Sequence, residues 1–396
     1  MTKEEEEAKA LSSQWYRLRP ILGYANWAMI ICLLGARELG KSYSVANYVV
    51  DQFKNKGVPF VWIRLTEKQS QKLLSNHCAE LVDPDIQHKY GLNLITRGKF
   101  VYDVKYRTRY DKNGKEIKEI VSKTLMARVL NLSTFYTDKG AGFDKDFLKD
   151  LTMRYNIVID EFQREKSEKK SFDIAYALMN QLENLIRSTK TRTKIFLMGN
   201  TLTEASDILC MLNFIPEKHG IYKLVKNKKT LVKYLKEYDE AKTDKERLEI
   251  DYKYQDYDFG KRAVIHFAPL SEQYKARRKN AIANILMPTS STLTNQLEVD
   301  KSMITGRRVY KPSAIIKFSK EQKDWFTVWD DNIILPYNGE KIKFVISMRP
   351  YLDELYNLDL VKSVINLFDT RSYYFRHLIT YKQFQNQLEL LKPRKG

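Results

Sequence analysis

One eight-residue stretch near the start of the chain limits its fold more than any other. Residues 35 to 42 read GARELGKS, which has the G-x-x-x-x-G-K-S spacing of a phosphate-binding loop. The apolar run before it, WAMIICLL, predicts a strand buried on both faces of a parallel sheet. The segment after it, SYSVANYVVDQFKN, has apolar residues at helical spacing. A strand, a glycine-bounded loop and a helix place backbone N–H groups around an anion, so the pattern predicts a nucleoside triphosphate site. A glycine and lysine turn in an ordinary strand–helix unit is the alternative.

The residues of this loop have separate expected roles. Lys41 would reach the β and γ phosphates of ATP, and the Ser42 hydroxyl would bind Mg²⁺. Backbone N–H groups along the whole loop would cradle the phosphates. The candidate ATP-binding residues are Gly35, Ala36, Arg37, Glu38, Leu39, Gly40, Lys41 and Ser42.

A second apolar segment supplies the acids that an ATPase needs. YNIVIDEF, residues 155 to 162, predicts another buried strand. Asp160 lies at its carboxyl end, where it would hold Mg²⁺ through water, and Glu161 would orient the attacking water. Because Glu161 can polarise water rather than a substrate hydroxyl, the pair favours a hydrolase over a kinase. A strand that merely ends in two acids is the alternative.

Two further elements contribute polar candidates. Asn200 ends the predicted strand KIFLMGN, where it would contact the γ-phosphate or the attacking water, or would cap a turn. Arg187, at the end of the predicted helix FDIAYALMNQLENLIRS, is the candidate arginine finger for a neighbouring subunit's nucleotide. Arg192 is the alternative finger, and an arginine at a helix C-terminus is also favourable for the helix dipole alone.

Strands and helices alternate through the first two hundred residues, which predicts a parallel sheet with right-handed crossovers. After a second strand, VPFVWIRL, Thr66 and Gln69 form a capping box for a helix that would end at Asp83-Pro84. Between residues 92 and 125, two strand-like runs flank Asn113-Gly114 and predict a hairpin insertion. A strand, LMARVLNLS, follows it. The predicted fold class is α/β, with an N-terminal P-loop (ASCE/RecA-like) parallel sheet, flanking helices and this hairpin.

The composition changes from about residue 216 onward. KLVKNKKTLVKYLKEYDEAKTDKERLE is dense in mixed charge and predicts a helical linker or lid subdomain. Beyond it, SAIIKFS, WFTVWDD and KIKFVISM are typical of strands, and the last forty residues are typical of helices. The predicted domains are therefore 1–215, an ATPase domain; 216–255, the linker; and 256–396, a smaller α+β domain, for which the resemblance described below implies nucleic-acid binding.

The charge balance indicates a polyanionic partner. The chain has 396 residues and a formal net charge of +19, and DNA or RNA is favoured over a membrane because no amphipathic anchor or long apolar span is evident. Three scattered cysteines predict a reducing, cytoplasmic setting, and five histidines without ligand spacing argue against a zinc site. The acidic start, MTKEEEEAKALSS, lacks the basic and apolar parts of a secretory signal.

The strings GARELGKSY, VIDEFQREK and FLMGN, in this order, resemble those of the phi29-type DNA-packaging ATPases, terminase-like motors of small tailed phages with protein-primed genomes. The resemblance covers the first two hundred residues and is faint beyond them. It implies a homo-oligomeric ring, expected to be a pentamer, on the portal of an empty procapsid in the host cytoplasm. It further implies an ATP-driven translocase that packages double-stranded DNA and uses Mg²⁺. One branch of the family also suggests a structural packaging RNA.

Carried over to matched positions, the resemblance implies three roles: phosphate loop, acids for metal and water, and trans-acting finger. The residues are, in that order, Gly35, Gly40, Lys41 and Ser42; Asp160 and Glu161; and Arg187. The chain has one extra residue between Arg187 and the next strand. Arg64 and Lys68 are the nearest equivalents of a family basic segment associated with action across the subunit boundary, but their spacing differs.

The family's C-terminal domain is similar to an RNase H-like nuclease without a cleavage site. Nuclease action would need several carboxylates around two metals. Asp330, Asp331 and Asp369 are available, but the expected first strand, SAIIKFS, contributes no acid, so we expect a vestigial nuclease fold used for binding. The alternatives are a terminase-type ATPase with an active endonuclease, a helicase-like nucleic-acid-dependent ATPase, and a binding protein that does not hydrolyse ATP.

A motor that holds DNA of any sequence should contact phosphates through lysine and arginine. Each candidate could equally be a solvated surface charge. The candidates are Lys105, Arg107, Arg109, the run Lys226 to Lys229, Arg277, Arg278, Arg307 and Arg308.

Overall fold

The computed structural model describes residues 16–36, 39–110, 116–133, 156–162, 174–186, 193–200, 207–269, 302–352 and 356–391. The described residues form two compact units, each with its own sheet. The first unit draws on Met1–Phe162, Tyr176–Thr201 and Lys218–Asn295. The second draws on Gln163–Ala175, Leu202–Glu217 and Gln296–Gly396.

Nine strands form the sheet of the first unit. They are β1 (Ile30–Leu34), β2 (Phe60–Arg64), β3 (Leu94–Arg97), β4 (Phe100–Tyr110), β5 (Glu116–Asn131), β6 (Asn156–Asp160), β7 (Lys194–Gly199), β8 (Gly220–Leu224) and β9 (Ala263–Phe267). Their order across the sheet is β3-β4-β5-β2-β6-β7-β1-β9-β8, and the strands from β5 to β9 in this order are all parallel. The carboxyl ends of these parallel strands therefore lie along one edge, which is where ligands bind in such sheets. This confirms the predicted α/β class.

The described helices are α1 (Leu18–Tyr24), α2 (Lys41–Lys56), α3 (Glu67–Leu74), α4 (Pro84–Tyr90), α5 (Ile174–Ile186), α6 (Asp207–Leu212), α7 (Lys228–Glu240), α8 (Asp244–Lys253), α9 (Leu358–Asp369) and α10 (Leu378–Leu391). Short 3₁₀ helices span Asn76–Cys78, Gln322–Asp324 and Pro350–Leu352. The capping box predicted for α3 is confirmed, since Thr66 and Gln69 make both of its hydrogen bonds. The helix is shorter than predicted, because three consecutive residues after Ser75 adopt left-handed backbone angles that a right-handed helix cannot continue through.

The predicted hairpin insertion is confirmed by β4 and β5, which pair antiparallel from Phe100 opposite Arg128 to Tyr110 opposite Glu116. Its predicted turn at Asn113-Gly114 lies outside the described residues. The second hairpin strand and the strand predicted at Leu125–Ser133 are one continuous strand, β5. The hairpin is therefore an extension of a central strand of the sheet.

The units divide the chain differently from the predicted boundaries at 215 and 255. The predicted linker contains the helices α7 and α8, but it also contains β8, which pairs antiparallel with β9. β9 in turn lies parallel to β1, with Ile30 opposite Ala263. The first sheet consequently continues to Phe267, past the predicted start of the C-terminal domain.

The second unit has a five-stranded sheet with the order β13-β10-β11-β12-β14. Its strands are β10 (Pro312–Lys317), β11 (Trp325–Trp329), β12 (Ile333–Pro336), β13 (Val345–Ser347) and β14 (Tyr374–Phe375). β10, β11 and β12 form an antiparallel meander, and β13 lies parallel to β10. Phe384 of α10 contacts the rings of Phe318, Phe326 and Phe375 at centroid distances of 5.1 to 5.5 Å, so the helix covers one face of the sheet.

Candidate nucleotide-binding site

The loop between β1 and α2 is shaped by two glycines. Gly40 has a φ of 91°, in the left-handed region, directly before α2 begins. A Cβ on Gly35 would lie 3.0 Å from the Leu39 side chain and 3.4 Å from Ala268 Cβ, so a side chain here would be tightly packed. The backbone angle explains Gly40, and close packing explains Gly35. Arg37 and Glu38, also predicted to bind ATP, lie outside the described residues.

The Lys41 side chain is buried and lies across the inside of the loop. Its Nζ donates hydrogen bonds to the carbonyl oxygens of Gly35, at 2.9 Å, and Ala36, at 2.8 Å. A third bond, 3.0 Å long, reaches Asn200 Oδ1. Burial lowers the pKa of Lys41 to about 8, although the carboxylates of Asp160 and Glu161 act in the opposite direction. The site therefore holds a cation with a reduced proton affinity, and a phosphate bound beside it would raise that affinity.

Ser42 and Asp160 meet from two different elements. Ser42 lies in the first turn of α2, Asp160 ends β6, and the Ser42 hydroxyl donates to Asp160 Oδ1 at 3.1 Å. Burial raises the pKa of the Asp160 carboxyl, against the opposing influence of Arg64. A hydroxyl and a carboxylate are hard oxygen ligands, and Mg²⁺ takes only one or two carboxylates besides water and phosphate. The two side chains therefore fit the predicted Mg²⁺ position.

Arg64 holds both acids of the site. One guanidinium nitrogen lies 2.8 Å from Asp160 Oδ2, and the other pairs with the Glu161 carboxylate. Arg64 ends β2, whose neighbour is β6, so parallel pairing brings the carboxyl ends of the two strands together. Glu161 adopts a left-handed φ of 55°, which turns the chain directly after Asp160. Arg64, considered from the sequence only as the equivalent of a residue acting across a subunit boundary, contacts acids of its own chain.

Asn200 and Lys41 come together because β7 lies between β6 and β1. The Asn200 amide oxygen accepts from Lys41, so this side chain faces the phosphate loop. The two candidate fingers, Arg187 and Arg192, lie outside the described residues. The structure thus assembles the described site residues at one edge of the sheet: Gly35, Ala36, Leu39, Gly40, Lys41, Ser42, Asp160, Glu161 and Asn200.

Tyr16 also contributes to the site, and no sequence motif marked it. Its backbone N–H donates to Leu39 O at 3.0 Å, and its carbonyl accepts from the Ser44 hydroxyl. The Tyr16 hydroxyl lies 2.6 Å from His266 Nδ1, on β9. Burial lowers the pKa of His266, so the ring is favoured in its neutral form, which can pair with a hydroxyl. Tyr16 thereby links the C-terminal part of the phosphate loop and the start of α2 to β9.

The predicted DNA-contacting residues have varied surroundings. Lys105, Arg107 and Arg109 are exposed on β4. Lys226 pairs with Asp258 at 2.6 Å, while Lys228 Nζ lies 5.7 Å from the Trp27 ring. Arg307 lies over the Tyr374 ring at 5.8 Å, whereas Arg277 and Arg278 are outside the described residues.

Asp330, one of the acids considered for nuclease chemistry, binds the backbone of its own unit. The Asp330 carboxylate accepts from the backbone N–H groups of Tyr310, at 3.1 Å, and Lys311, at 3.0 Å. Within the described ranges, no group of three or more histidine, cysteine, aspartate or glutamate side chains is placed to hold a metal ion. In the same ranges, no helix has both the length and the apolar character needed to cross a membrane.

Comparisons with known proteins agree with the resemblance and with the fold. The chain is 22% identical over 206 residues to the DNA packaging proteins of Bacillus phages PZA and phi29. The match covers 52% of this chain and 52% of each relative, so the chain spans about half the length of the curated relatives it matches. A solved chain of the Phi-28 gp11 DNA packaging motor superposes with a TM-score of 0.58 and 13% identity, covering 96% of this chain and 99% of that one. No protein-family model matches. The predicted resemblance and fold class are confirmed.

Proposed function

We propose that this chain is the ATPase of a phage DNA-packaging motor, which couples ATP hydrolysis to the movement of double-stranded DNA into a preformed capsid. The observation that carries the proposal is the meeting of Lys41, Ser42, Asp160 and Asn200 at the carboxyl edge of one parallel sheet. Similarity to proteins named for DNA packaging supports the choice of DNA as the substrate that is moved. The net charge of +19 is consistent with a polyanionic partner.

Each side chain has a chemical task in this proposal. Bound MgATP would supply the phosphoanhydride bond and the charge-neutralising ion. Lys41 would exchange its hydrogen bonds to the Gly35 and Ala36 carbonyls for bonds to phosphate oxygens. The Asn200 side chain would keep the Lys41 ammonium in place. Ser42 and Asp160 would hold the ion. Glu161 would accept a hydrogen bond from water and direct it at the terminal phosphorus.

The Arg64 contact sets a condition on this step. A Glu161 carboxylate that is paired with a guanidinium has less capacity to accept a hydrogen bond from water. We expect hydrolysis to be faster once Glu161 leaves Arg64, while Asp160 can keep its own contact with the same arginine. In the structure, Glu161, the acid proposed to orient water, is paired with Arg64.

The remaining parts of the proposal concern assembly. The chain would act in a homo-oligomeric ring, a pentamer, on the portal of the procapsid in the host cytoplasm. Arg187 of one subunit would reach the nucleotide of the next, and a structural packaging RNA would link motor and capsid. In the second unit, β10 carries no acid and Asp330 binds backbone N–H groups, which favours a domain that binds DNA without cutting it.

Steady-state ATP hydrolysis by the purified protein, with and without double-stranded DNA, tests this proposal. Glu161→Gln should abolish turnover and retain nucleotide binding, whereas Glu80→Gln, a matched change at an exposed acid paired with Lys72, should behave as wild type. Arg187→Ala should also be inactive alone. A mixture of Arg187→Ala and Glu161→Gln should recover part of the activity, because some interfaces would combine an intact finger with an intact acid. DNA-independent turnover that survives Glu161→Gln would contradict the proposal, and nicked or linearised DNA would favour an endonuclease.

A further inference from the structure

The hairpin of β4 and β5 projects beyond the body of the first sheet. Phe60, the first residue of β2, pairs with Ala127, so the part of β5 before Ala127 extends past the start of its neighbour. On the other side, β3 pairs with β4 only as far as Asp103. The residues beyond these points, 105–109 and 116–123, form what we call the ribbon, and all of them are exposed. At about 3.3 Å per residue the eight residues of its second strand span about 25 Å.

The ribbon leaves the sheet at the edge opposite the nucleotide site. β5 runs parallel to β2, and the ribbon precedes the part of β5 that pairs with β2. It therefore lies beyond the amino ends of the parallel strands, whereas Lys41, Asp160 and Asn200 lie at their carboxyl ends. The ribbon is therefore remote from the nucleotide site of its own chain. Its exposed charges need another explanation.

The charges of the ribbon are mostly cationic. The ribbon carries five basic and two acidic residues: Lys105, Arg107, Arg109, Lys118 and Lys123 against Glu116 and Glu119. Arg109 pairs with Glu119 at 3.1 Å, and Lys123 lies 3.7 Å from the Tyr102 ring centroid. Among the described residues, Lys105, Arg107 and Lys118 have no carboxylate partner. Side chains two residues apart on a strand share a face, so Lys105, Arg107 and Arg109 lie on one side of the ribbon, where Glu119 is the acid opposite Arg107.

The ribbon also exposes apolar side chains to water, and this exposure does not stabilise a hairpin that has no partner. Tyr106 and Ile120 face each other across the strands, and each is more than two-fifths exposed, as are Ile117 and Val121. A two-stranded hairpin without a hydrophobic face is only marginally stable in water, so covering the ribbon with a partner would stabilise it. A second copy of this chain is a poor partner for a basic surface, because that copy also has a net charge of +19.

We propose that the ribbon is a DNA-binding arm that enters the major groove of a duplex and holds it through phosphate contacts. The proposal rests on the proposed function, because it takes double-stranded DNA as the partner. The major groove of B-form DNA admits a two-stranded β-ribbon, whereas the major groove of A-form RNA is too deep and narrow for side chains to read. Lys105, Arg107 and Lys118 have long cationic side chains that can contact phosphates without reading the bases. Such contacts suit a protein that holds DNA of any sequence.

The test uses the full chain, without nucleotide, and a fluorescent mixed-sequence duplex of about three helical turns. A triple variant, Lys105→Ala, Arg107→Ala and Lys118→Ala, should bind this DNA about tenfold or more weakly, and its slope of log affinity against log salt should shrink by about 2 to 3. The matched control removes three exposed lysines from α7 and α8: Lys233→Ala, Lys236→Ala and Lys245→Ala. It should keep wild-type binding, as should Lys105→Arg with Lys118→Arg, which preserves the charges.

Three results would overturn the proposal. The triple variant could bind DNA as the control does, or it could lose duplex RNA of the same sequence as severely as DNA, or it could lose self-association in sedimentation at unchanged DNA affinity. ATP hydrolysis without DNA separates this inference from the proposed function. If the wild-type protein hydrolyses no ATP, the proposed function is wrong. If the triple variant hydrolyses ATP and binds DNA as the wild type does, only the proposal of a DNA-binding arm is wrong.

Discussion

The carboxyl edge of the first sheet and the ribbon both concentrate charge, but they hold it in opposite ways. At the edge, Lys41 and Asp160 are buried and each charge has several partners at hydrogen-bond distance. On the ribbon, Lys105 and Arg107 are exposed to water. A buried charge destabilises the fold unless it is paired and hydrogen-bonded, whereas exposed charges act at long range and nearly additively. A single substitution should therefore have a large effect at the edge and a small one on the ribbon.

The largest effect is expected from Lys41→Ala. Nζ contacts both loop carbonyls and Asn200, and in the proposed reaction it would hold the charge of the transferred phosphoryl group. Removing one such preorganised donor should lower the rate of ATP hydrolysis by about 10²- to 10³-fold. Initial-rate measurements would test this, with Lys89→Ala at an exposed helix position as the control. Equal rates for the two variants would remove Lys41 from the proposed chemistry.

Arg64→Leu should cause the next largest effect, which is expected in the stability of the fold. The Asp160 side chain is 3% exposed and the Arg64 side chain 15%, so the variant would leave a buried carboxylate without its guanidinium. The expected loss is about 3 kcal/mol of unfolding free energy near neutral pH. Denaturant titrations would measure it. The double variant Arg64→Leu with Asp160→Asn should recover part of the loss, and an absence of recovery would mean that packing of Arg64, not its charge, stabilises the edge.

The difference between the two regions also explains what the sequence could predict. The phosphate loop, the β6 acids and the Thr66 capping box depend on residues close together in the chain, so local patterns were enough for them. The Arg64 pairing depends on β2 lying beside β6, and the place of β9 depends on its pairing with β1, more than two hundred residues away. Local patterns do not determine strand order. Tyr16 was missed for the same reason, because its partners Leu39, Ser44 and His266 come together only in the fold.

A pH dependence of nucleotide binding should follow from Lys41. Its pKa of about 8 in the free protein lies below the ordinary value, so the ammonium loses its proton as pH rises through about 8. Phosphate binding favours the charged form, so affinity for a non-hydrolysable ATP analogue should fall about fivefold between about pH 8 and about pH 9. Lys41→Arg keeps its charge in this range, and a binding titration should show a flatter profile for it. A wild-type profile as flat as that of the arginine variant would exclude Lys41 as the titrating group.

The same shift has the opposite sign for the stability of the free protein. The unfolded chain binds the Lys41 proton more tightly than the folded chain does, so this group adds stability as pH rises from about 8 toward its ordinary value of 10.5. Nucleotide affinity and the stability of the free protein should thus change in opposite directions over one pH range. Thermal unfolding of Lys41→Met, which has no titrating group at this position, is the control for that comparison.

A smaller effect is expected from Tyr16→Phe. The variant removes the hydroxyl that lies 2.6 Å from His266 Nδ1 but keeps the backbone contacts with Leu39 and Ser44. One partly buried hydrogen bond contributes about 1 kcal/mol to stability, and the loop itself should stay in place. Denaturant titration should show this loss with nearly unchanged nucleotide affinity. Tyr222→Phe, which removes the hydrogen bond from a half-buried tyrosine to the Lys218 carbonyl, provides the comparison. A larger loss of affinity than of stability would show that the Tyr16 hydroxyl positions the loop directly.

The smallest effect on stability should come from an arginine on the ribbon, and it provides the most direct comparison with Arg64. Arg107 is exposed and has no carboxylate partner among the described residues, so Arg107→Leu leaves no buried acid without its partner. The unfolding midpoint should stay at its wild-type value, while the slope of log DNA affinity against log salt should shrink by about 1. Unfolding and DNA-binding titrations on one preparation measure both quantities. If Arg107→Leu destabilised the protein as Arg64→Leu is expected to, the ribbon would be part of the packed body, and the contrast between a buried, paired edge and a solvated arm would fail.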